Sequence, residues 1–307
     1  MKLEGIHHIT AITGNAPRNV DFYTRILGLR LVKKTVNQDD PTVYHLFYGD
    51  DAGSPGLDLT FFEYPHAAPG NPGAGMVHRI LWRVASPDAV DFWARRLSGE
   101  GIDAHRDGPS LSFRDPEGLV HELTVPETTD APLIAWHPDI PADLALQGFE
   151  GVRAYTAHPE ASRSLLEEGL GFRPAADGWE SRGDHRGSTY AYDLPPDAHG
   201  RQGAGSIHHV AWASTMAEHA AWGERVARSG ARPTPVIDRF YFRSIYFREP
   251  SGVLFEIATI GPGFTADEPL ESLGERLSLP PRFEGLRDRL EQVLTPLPAT
   301  RPRRAAA

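Results

Sequence analysis

Two apolar stretches of this chain each carry a pair of adjacent histidines: Gly5-Ile6-His7-His8-Ile9-Thr10 and, far along the sequence, Ser206-Ile207-His208-His209-Val210-Ala211-Trp212. A third stretch, Val253-Leu254-Phe255-Glu256-Ile257, carries a lone glutamate. Burying an imidazole or a carboxylate in such segments is costly unless something in the interior binds it. A metal ion would do so. Two histidines and one carboxylate leave up to three coordination positions open, the arrangement with which non-haem Fe(II) centres bring a substrate and dioxygen together. The chain has no cysteine, so disulfides and thiolate metal sites are excluded, and a metal must be held by histidine, carboxylate or carbonyl groups.

The elements that would position these groups repeat. From Gly5 the chain reads as a strand, a helix that starts at Asn15-Ala16-Pro17 and stops at Gly28, and three β-rich runs, 29–36, 42–48 and 56–62. A second βαβββ copy starts at Met76, caps its helix with Ser86-Pro87, and ends in Arg114-Asp115-Pro116-Glu117-Gly118-Leu119-Val120-His121-Glu122-Leu123. That ending aligns without gaps with residues 248–257. A third copy runs from Gly148 through a helix between Glu160 and Leu170 to the strand 188–192. The fourth holds the second His-His pair, a helix from Thr215 to Arg228, and Glu256. The expected fold class is α+β, four βαβββ modules whose sheets cup around a site. The domains are expected at 1–130 (modules one and two) and 146–265 (modules three and four), joined by the Pro/Asp/Ala-rich residues 126–146. A tail, 266–307, is expected to hold one helix, about 283–293, and a disordered Pro/Arg/Ala end.

Aligned at their first and last strands, the copies carry His8, Arg79, Gly151 and His209 at one position, and Thr60, Glu122, Ala191 and Glu256 at the other. Copies one and two together would place Arg79 where a cation should sit. Copies three and four offer two ligands. Copies two and three leave Arg79 to pair with Glu122. Copies one and four bring together His8, His209 and Glu256, which makes a working site. His45, His66, His78, His105, His121, His137, His158, His185, His199 and His219 show no partner pattern and are expected mostly on the surface or in loops.

Composition, 40% apolar and 23% charged, is that of a globular domain. A formal charge of −10, with basic residues clustered at Arg301, Arg303 and Arg304, argues against a nucleic-acid partner. The sequence has no apolar run long enough to cross a bilayer and no signal-peptide core after Met1, so no membrane association and a cytoplasmic location are expected.

The four modules resemble the vicinal oxygen chelate superfamily of glyoxalases and extradiol dioxygenases, and more closely the hydroquinone ring-cleaving dioxygenases. The resemblance is carried by residues 3–31, Val43-Tyr44-His45-Leu46, Gly53-Ser54-Pro55-Gly56, residues 207–212 and 238–257, and Gly263-Phe264-Thr265. It implies two domains of cupped, incomplete barrels, with Fe(II), or alternatively Mn(II), at His8, His209 and Glu256. It also implies that Thr10, His208, Arg239 and Tyr246 surround the metal or contact substrate. The expected substrates are O2 and a hydroquinone-type aromatic diol, chlorinated or otherwise substituted. A homo-oligomer is a further expectation. Two other readings stay open: a glyoxalase-like isomerase or lyase, for which Thr60 is a poor fourth ligand with Asp58 and Glu63 nearby, and a non-enzymatic ligand-binding or resistance protein.

Overall fold

The computed structural model describes residues 1–298. The end expected to be disordered, with its three arginines, lies outside the described residues. Module one comprises β1 (Ile6–Thr13), α1 (Ala16–Asp21), β2 (Arg30–Val36), β3 (Tyr44–Gly49) and β4 (Asp58–Glu63). Module two comprises β5 (Val77–Arg83), α2 (Pro87–Gly99), β6 (Ala104–Asp107), β7 (Ser110–Arg114) and β8 (Val120–Thr124). Module three comprises β9 (Phe149–Tyr155), β10 (Arg173–Ala175), β11 (Gly178–Arg182) and β12 (Gly187–Asp193). Module four comprises β13 (Ile207–Ser214), α3 (His219–Arg228), β14 (Ile237–Asp238), β15 (Arg243–Arg248) and β16 (Leu254–Thr259), and α4 (Arg287–Val293) lies in the tail.

Helix α2 begins as its sequence dictates, with the Ser86 hydroxyl accepting from Ala89 N–H and Pro87 in the first turn. Elsewhere the helical segments are less regular than expected. Helix α1 passes into a wide i→i+5 turn, Phe22–Ile26, and module three has a 3₁₀ turn, Pro159–Ser162, followed by a second wide turn, Leu165–Gly169. The wide turns still bury the apolar side chains a regular helix would have buried, Phe22, Tyr23 and Ile26 in one and Leu165 and Leu166 in the other.

The strands form two curled eight-stranded sheets, ordered β14-β15-β16-β13-β1-β4-β3-β2 and β10-β11-β12-β9-β5-β8-β7-β6. Modules one and four share the first sheet through an antiparallel β1–β13 pairing, and modules two and three share the second through β5–β9. Each sheet thus takes one module from either side of the 126–146 connector. One continuous hydrophobic cluster runs through both sheets and buries Trp82, Trp93, Trp212 and Trp222 completely. Strand β1 is buried along its whole length, which explains why it reads as an apolar run without alternation.

Register is the same in all four modules. Thr10 pairs with Thr60, Leu81 with Glu122, Arg153 with Ala191 and Ala211 with Glu256, in each case two residues beyond His8, Arg79, Gly151 or His209. The four-way alignment of last-strand positions therefore holds, and Thr60 is the module-one equivalent of Glu256. Strands β1 and β13 are both entered through a left-handed glycine, Gly5 (φ 71°) and Gly205 (φ 78°). A Cβ on Gly205 would lie 2.1 Å from the Glu117 carbonyl oxygen, so no other residue fits there without displacement.

The tail is fastened to the edge of the first sheet. Ser278 N–H donates to the Lys34 carbonyl, and the fully buried Lys33 ammonium donates to the Phe264 carbonyl at 3.1 Å, to Asp267 at 2.7 Å and to Glu268. Edge strand β2 is thereby covered. Among the described residues, no helix is long and apolar enough to cross a membrane.

Four histidines expected mostly on the surface are buried: His78, His121, His137 and His219. His121 Nδ1 accepts from Trp82 at 3.0 Å, so its Nε2–H faces the Tyr23 hydroxyl at 3.0 Å, and Tyr23 in turn donates to Asp115. Trp82, His121, Tyr23 and Asp115 thus partner one another, which is what permits their burial.

Candidate metal centre

Residues two apart on a strand share a face, and so do partners in register across a parallel pair. The alternation places His8, His209 and Glu256 on one face of the first sheet, at the β13-β1 seam. His8 Nε2 and His209 Nε2 are 3.3 Å apart, and Glu256 Oε2 lies 3.2 Å from the first and 2.9 Å from the second. All three side chains are buried. Donors about 2.1 Å from a common ion and at right angles to one another would be separated by about 3 Å, so the triangle has the dimensions of one face of a metal's coordination sphere.

The tautomers argue in the same direction. His7 Nε2 lies 3.2 Å from the Thr259 carbonyl, which can only accept, so that nitrogen carries the proton. His7 Nδ1 is then an acceptor, and it takes the Nδ1–H of His8 at 2.9 Å. His8 Nε2 is left as a bare lone pair facing a carboxylate. His209 makes the matching Nδ1 contact, 2.8 Å to His208. Burial lowers His7 to about 3 and likewise lowers His209, so these two imidazoles are neutral at pH 7. Burial works to raise the Glu256 carboxyl, but positive charge on His8 and His209 would outweigh burial and hold it well below the usual carboxylate range. Neither Glu256 oxygen makes a hydrogen bond. Two imidazole nitrogens, one of them a bare lone pair, and an unbonded carboxylate turned toward one point are stable around a cation, so the residues present fit a divalent metal. His7, His8 and Asp58 also bring ligand atoms within 4.8 Å of one another, but there the His7–His8 contact is itself a hydrogen bond.

A narrow cleft opens over the triangle. Phe47, Phe62, Tyr241 and Phe242 give it apolar walls, and His45, Asp39, Arg239 and Tyr246 supply polar groups. Arg239 and Tyr246 are thus brought to the site. The Arg239 Nε–H donates to the Tyr246 hydroxyl oxygen at 3.3 Å, and the Tyr246 ring meets the His209 ring edge-on at 5.7 Å. Burial, and behind it the Glu256 charge, raise the Tyr246 phenol above its ordinary value, so it stays protonated at neutral pH. Thr10 and His208 do not line the cleft. The Thr10 hydroxyl is taken up by Thr60 at 2.8 Å, and the His208 ring lies against His209 with Phe62 at 5.7 Å.

His45, which sequence reasoning left among the uninvolved histidines, faces the cleft. Its Nε2 lies 2.9 Å from the Thr60 hydroxyl, and burial, followed by the charges of His8 and His209, lowers it well below the ordinary histidine value. One signal was available in the sequence: a single histidine inside the apolar run Val43-Tyr44-His45-Leu46-Phe47. His7 was missed as well, although it stands in the repeated His-His pair. In the second sheet the equivalent position is closed by Arg79, which donates to Glu122 at 2.6 Å, as the pairing of modules two and three requires.

Comparison with known proteins gives the same outline. Residues 5–123 and 148–257 match the family model described as Glyoxalase/Bleomycin resistance protein/Dioxygenase superfamily. A Bacillus subtilis (strain 168) protein provisionally named ring-cleaving dioxygenase MhqA is 38% identical over 97% of this chain and 100% of its own length. A chlorohydroquinone/hydroquinone 1,2-dioxygenase of Sphingobium indicum is 33% identical over 95% of this chain and 96% of its own. A crystal structure of a Bacillus subtilis protein, provisionally described as a dioxygenase, superposes with a TM-score of 0.89 at 38% identity, covering 97% of this chain and 98% of that one.

Proposed function

We infer that this chain, which belongs to the Glyoxalase/Bleomycin resistance protein/Dioxygenase superfamily, is a metal-dependent ring-cleaving dioxygenase acting on hydroquinone-type aromatic diols. The observation that carries the reading is the buried triangle of His8 Nε2, His209 Nε2 and Glu256 Oε2, with the His8 lone pair facing inward and no hydrogen bond to the carboxylate. These three side chains would hold Fe(II), with Mn(II) the other candidate for the same donors. When bound, such an ion supplies open positions for a diol oxygen and for dioxygen and the redox capacity to combine them.

The chain's own residues do the rest. Phe47, Phe62 and Phe242 take the flat face of an aromatic ring and exclude water from it. Arg239, ion-paired with Asp39 in the wall, positions the Tyr246 hydroxyl by donating to its oxygen. Tyr246, kept protonated, donates a proton from its hydroxyl, and neutral His45 accepts one at an imidazole nitrogen. The relative named for hydroquinone chemistry supports para-placed hydroxyls. Thr60 at the position equivalent to Glu256 leaves three protein ligands rather than four, which favours an open oxygenase site over a glyoxalase-like isomerase.

The test is anaerobic loading with Fe(II) and, separately, Mn(II), followed by oxygen uptake and mass analysis of products across hydroquinones and catechols. Consumption of one O2 per diol, with both atoms in a ring-opened acid, is expected. No uptake with any diol under either metal would remove the reading.

A further inference from the structure

The loop between β2 and β3 reaches across the cleft to Arg239. Asp39 accepts from Arg239 in a fork, Nη1 to Oδ1 at 2.8 Å and Nη2 to Oδ2 at 2.9 Å, and the Gln38 side-chain amide donates to the Arg239 carbonyl at 2.5 Å. Arg282 steadies the loop from outside by donating to Gln38 Oε1 at 2.8 Å. Among the described residues that line the cleft, Arg239 is the single arginine or lysine, and its side chain is 15% exposed while that of Asp39 is 72% exposed. The acid therefore sits at the mouth and the guanidinium within.

We propose that Asp39 is a charge filter that sets which diols the cleft accepts. The idea rests on the ring-cleavage reading and adds a specificity determinant to it. Asp39 cancels the Arg239 charge, and Glu256 cancels one of the two charges on a divalent ion. One positive charge remains, which a single phenolate neutralises. A diol carrying a further anionic group, a carboxylate or sulfonate, would enter a cleft already neutral and meet a guanidinium whose two Nη groups are occupied. It would also pass the exposed Asp39 carboxylate on the way in. Diols with uncharged substituents, halogen or alkyl, meet neither obstacle.

The variant Asp39→Asn removes the charge at constant size, and Asp39→Glu keeps the charge. Two readouts are compared on the Fe(II)-loaded protein: kcat/KM by oxygen uptake for methylhydroquinone and for 2,5-dihydroxybenzoate, and anaerobic calorimetric Kd for the same two compounds. Wild type is expected to favour methylhydroquinone by at least about tenfold in both readouts, Asp39→Asn to shift the ratio toward the carboxylate by about tenfold, and Asp39→Glu to keep the wild-type ratio. An unmoved ratio in Asp39→Asn, an equal shift in Asp39→Glu, or no wild-type preference would overturn the proposal. Oxygen uptake that fails while the calorimetric ratios still shift would sink the ring-cleavage reading and leave the filter standing. Failure of all three proteins to bind either compound would overturn the filter too.

Discussion

His7 and Thr259 are 252 residues apart in sequence, and the imidazole Nε2 of one lies 3.2 Å from the carbonyl oxygen of the other. That contact fixes the His7 tautomer and, through it, the nitrogen that His8 turns toward Glu256. Replacing His7 with leucine removes the acceptor for the His8 Nδ1–H. Metal affinity is expected to fall about 10–100-fold with the fold retained, measured by competition with a chromogenic chelator alongside circular dichroism. Unchanged affinity would show that the His8 orientation does not depend on His7.

Glu256→Gln keeps the shape of the side chain and removes the charge. Metal affinity is expected to drop by more than the about 100-fold ceiling typical of outer hydrogen-bond partners, and activity to vanish with it. Metal content after gel filtration is the direct measurement. A variant that retains a full complement of metal would exclude Glu256 as a ligand.

Lys33→Met strips the buried positive charge from the pocket that holds Asp267 and Glu268 and leaves the buried Glu268 carboxylate with only the exposed Arg276, 3.8 Å away, as a cationic partner. A loss of about 3–5 kcal/mol is expected in denaturant unfolding, with the segment 264–279 becoming the first site of limited proteolysis. A stability within about 1 kcal/mol of wild type would mean the tail is held by its apolar contacts instead.

Burial lowers His121 to about 3, whereas a histidine in the unfolded chain titrates near 6.5. With the folded value depressed, the unfolded chain binds the proton first. The stability this group contributes is whole above about pH 6.5 and is lost as pH falls toward about 3. Asp115, raised to about 6 by burial, acts in the opposite sense: its contribution is whole below about pH 4 and is lost as pH rises through 6. His121→Gln should therefore flatten the decline in stability on acidification, by up to about 1.4 kcal/mol per pH unit between roughly pH 6 and 4. Urea unfolding of metal-free protein across that range checks it, and a wild-type slope in the variant would refute the assignment.

Much of the site was legible because the chain repeats itself. The two Ile-His-His runs and the gapless match of residues 114–123 to 248–257 fix equivalent positions, and a count of charges over each pairing selects modules one and four. The β1–β13 ladder is that pairing. Asp39 and Phe242 were not legible, because nothing local marks them. Asp39 meets Arg239 across 200 residues, through a loop whose course depends on how β2 and β3 curl. The wide turns at Phe22–Ile26 and Leu165–Gly169 were also hidden, since an i→i+5 turn leaves almost the same apolar spacing as a regular helix.

The shared sheets constrain how such a protein can change over time. A recombination that replaced everything beyond the connector would discard half of each hydrogen-bonded ladder and, in the same stroke, two of the three candidate donors. A foreign second half would be accepted only if it arrived with edges matching both β1 and β5. The two halves are therefore expected to be inherited together, drifting as one lineage rather than as interchangeable parts.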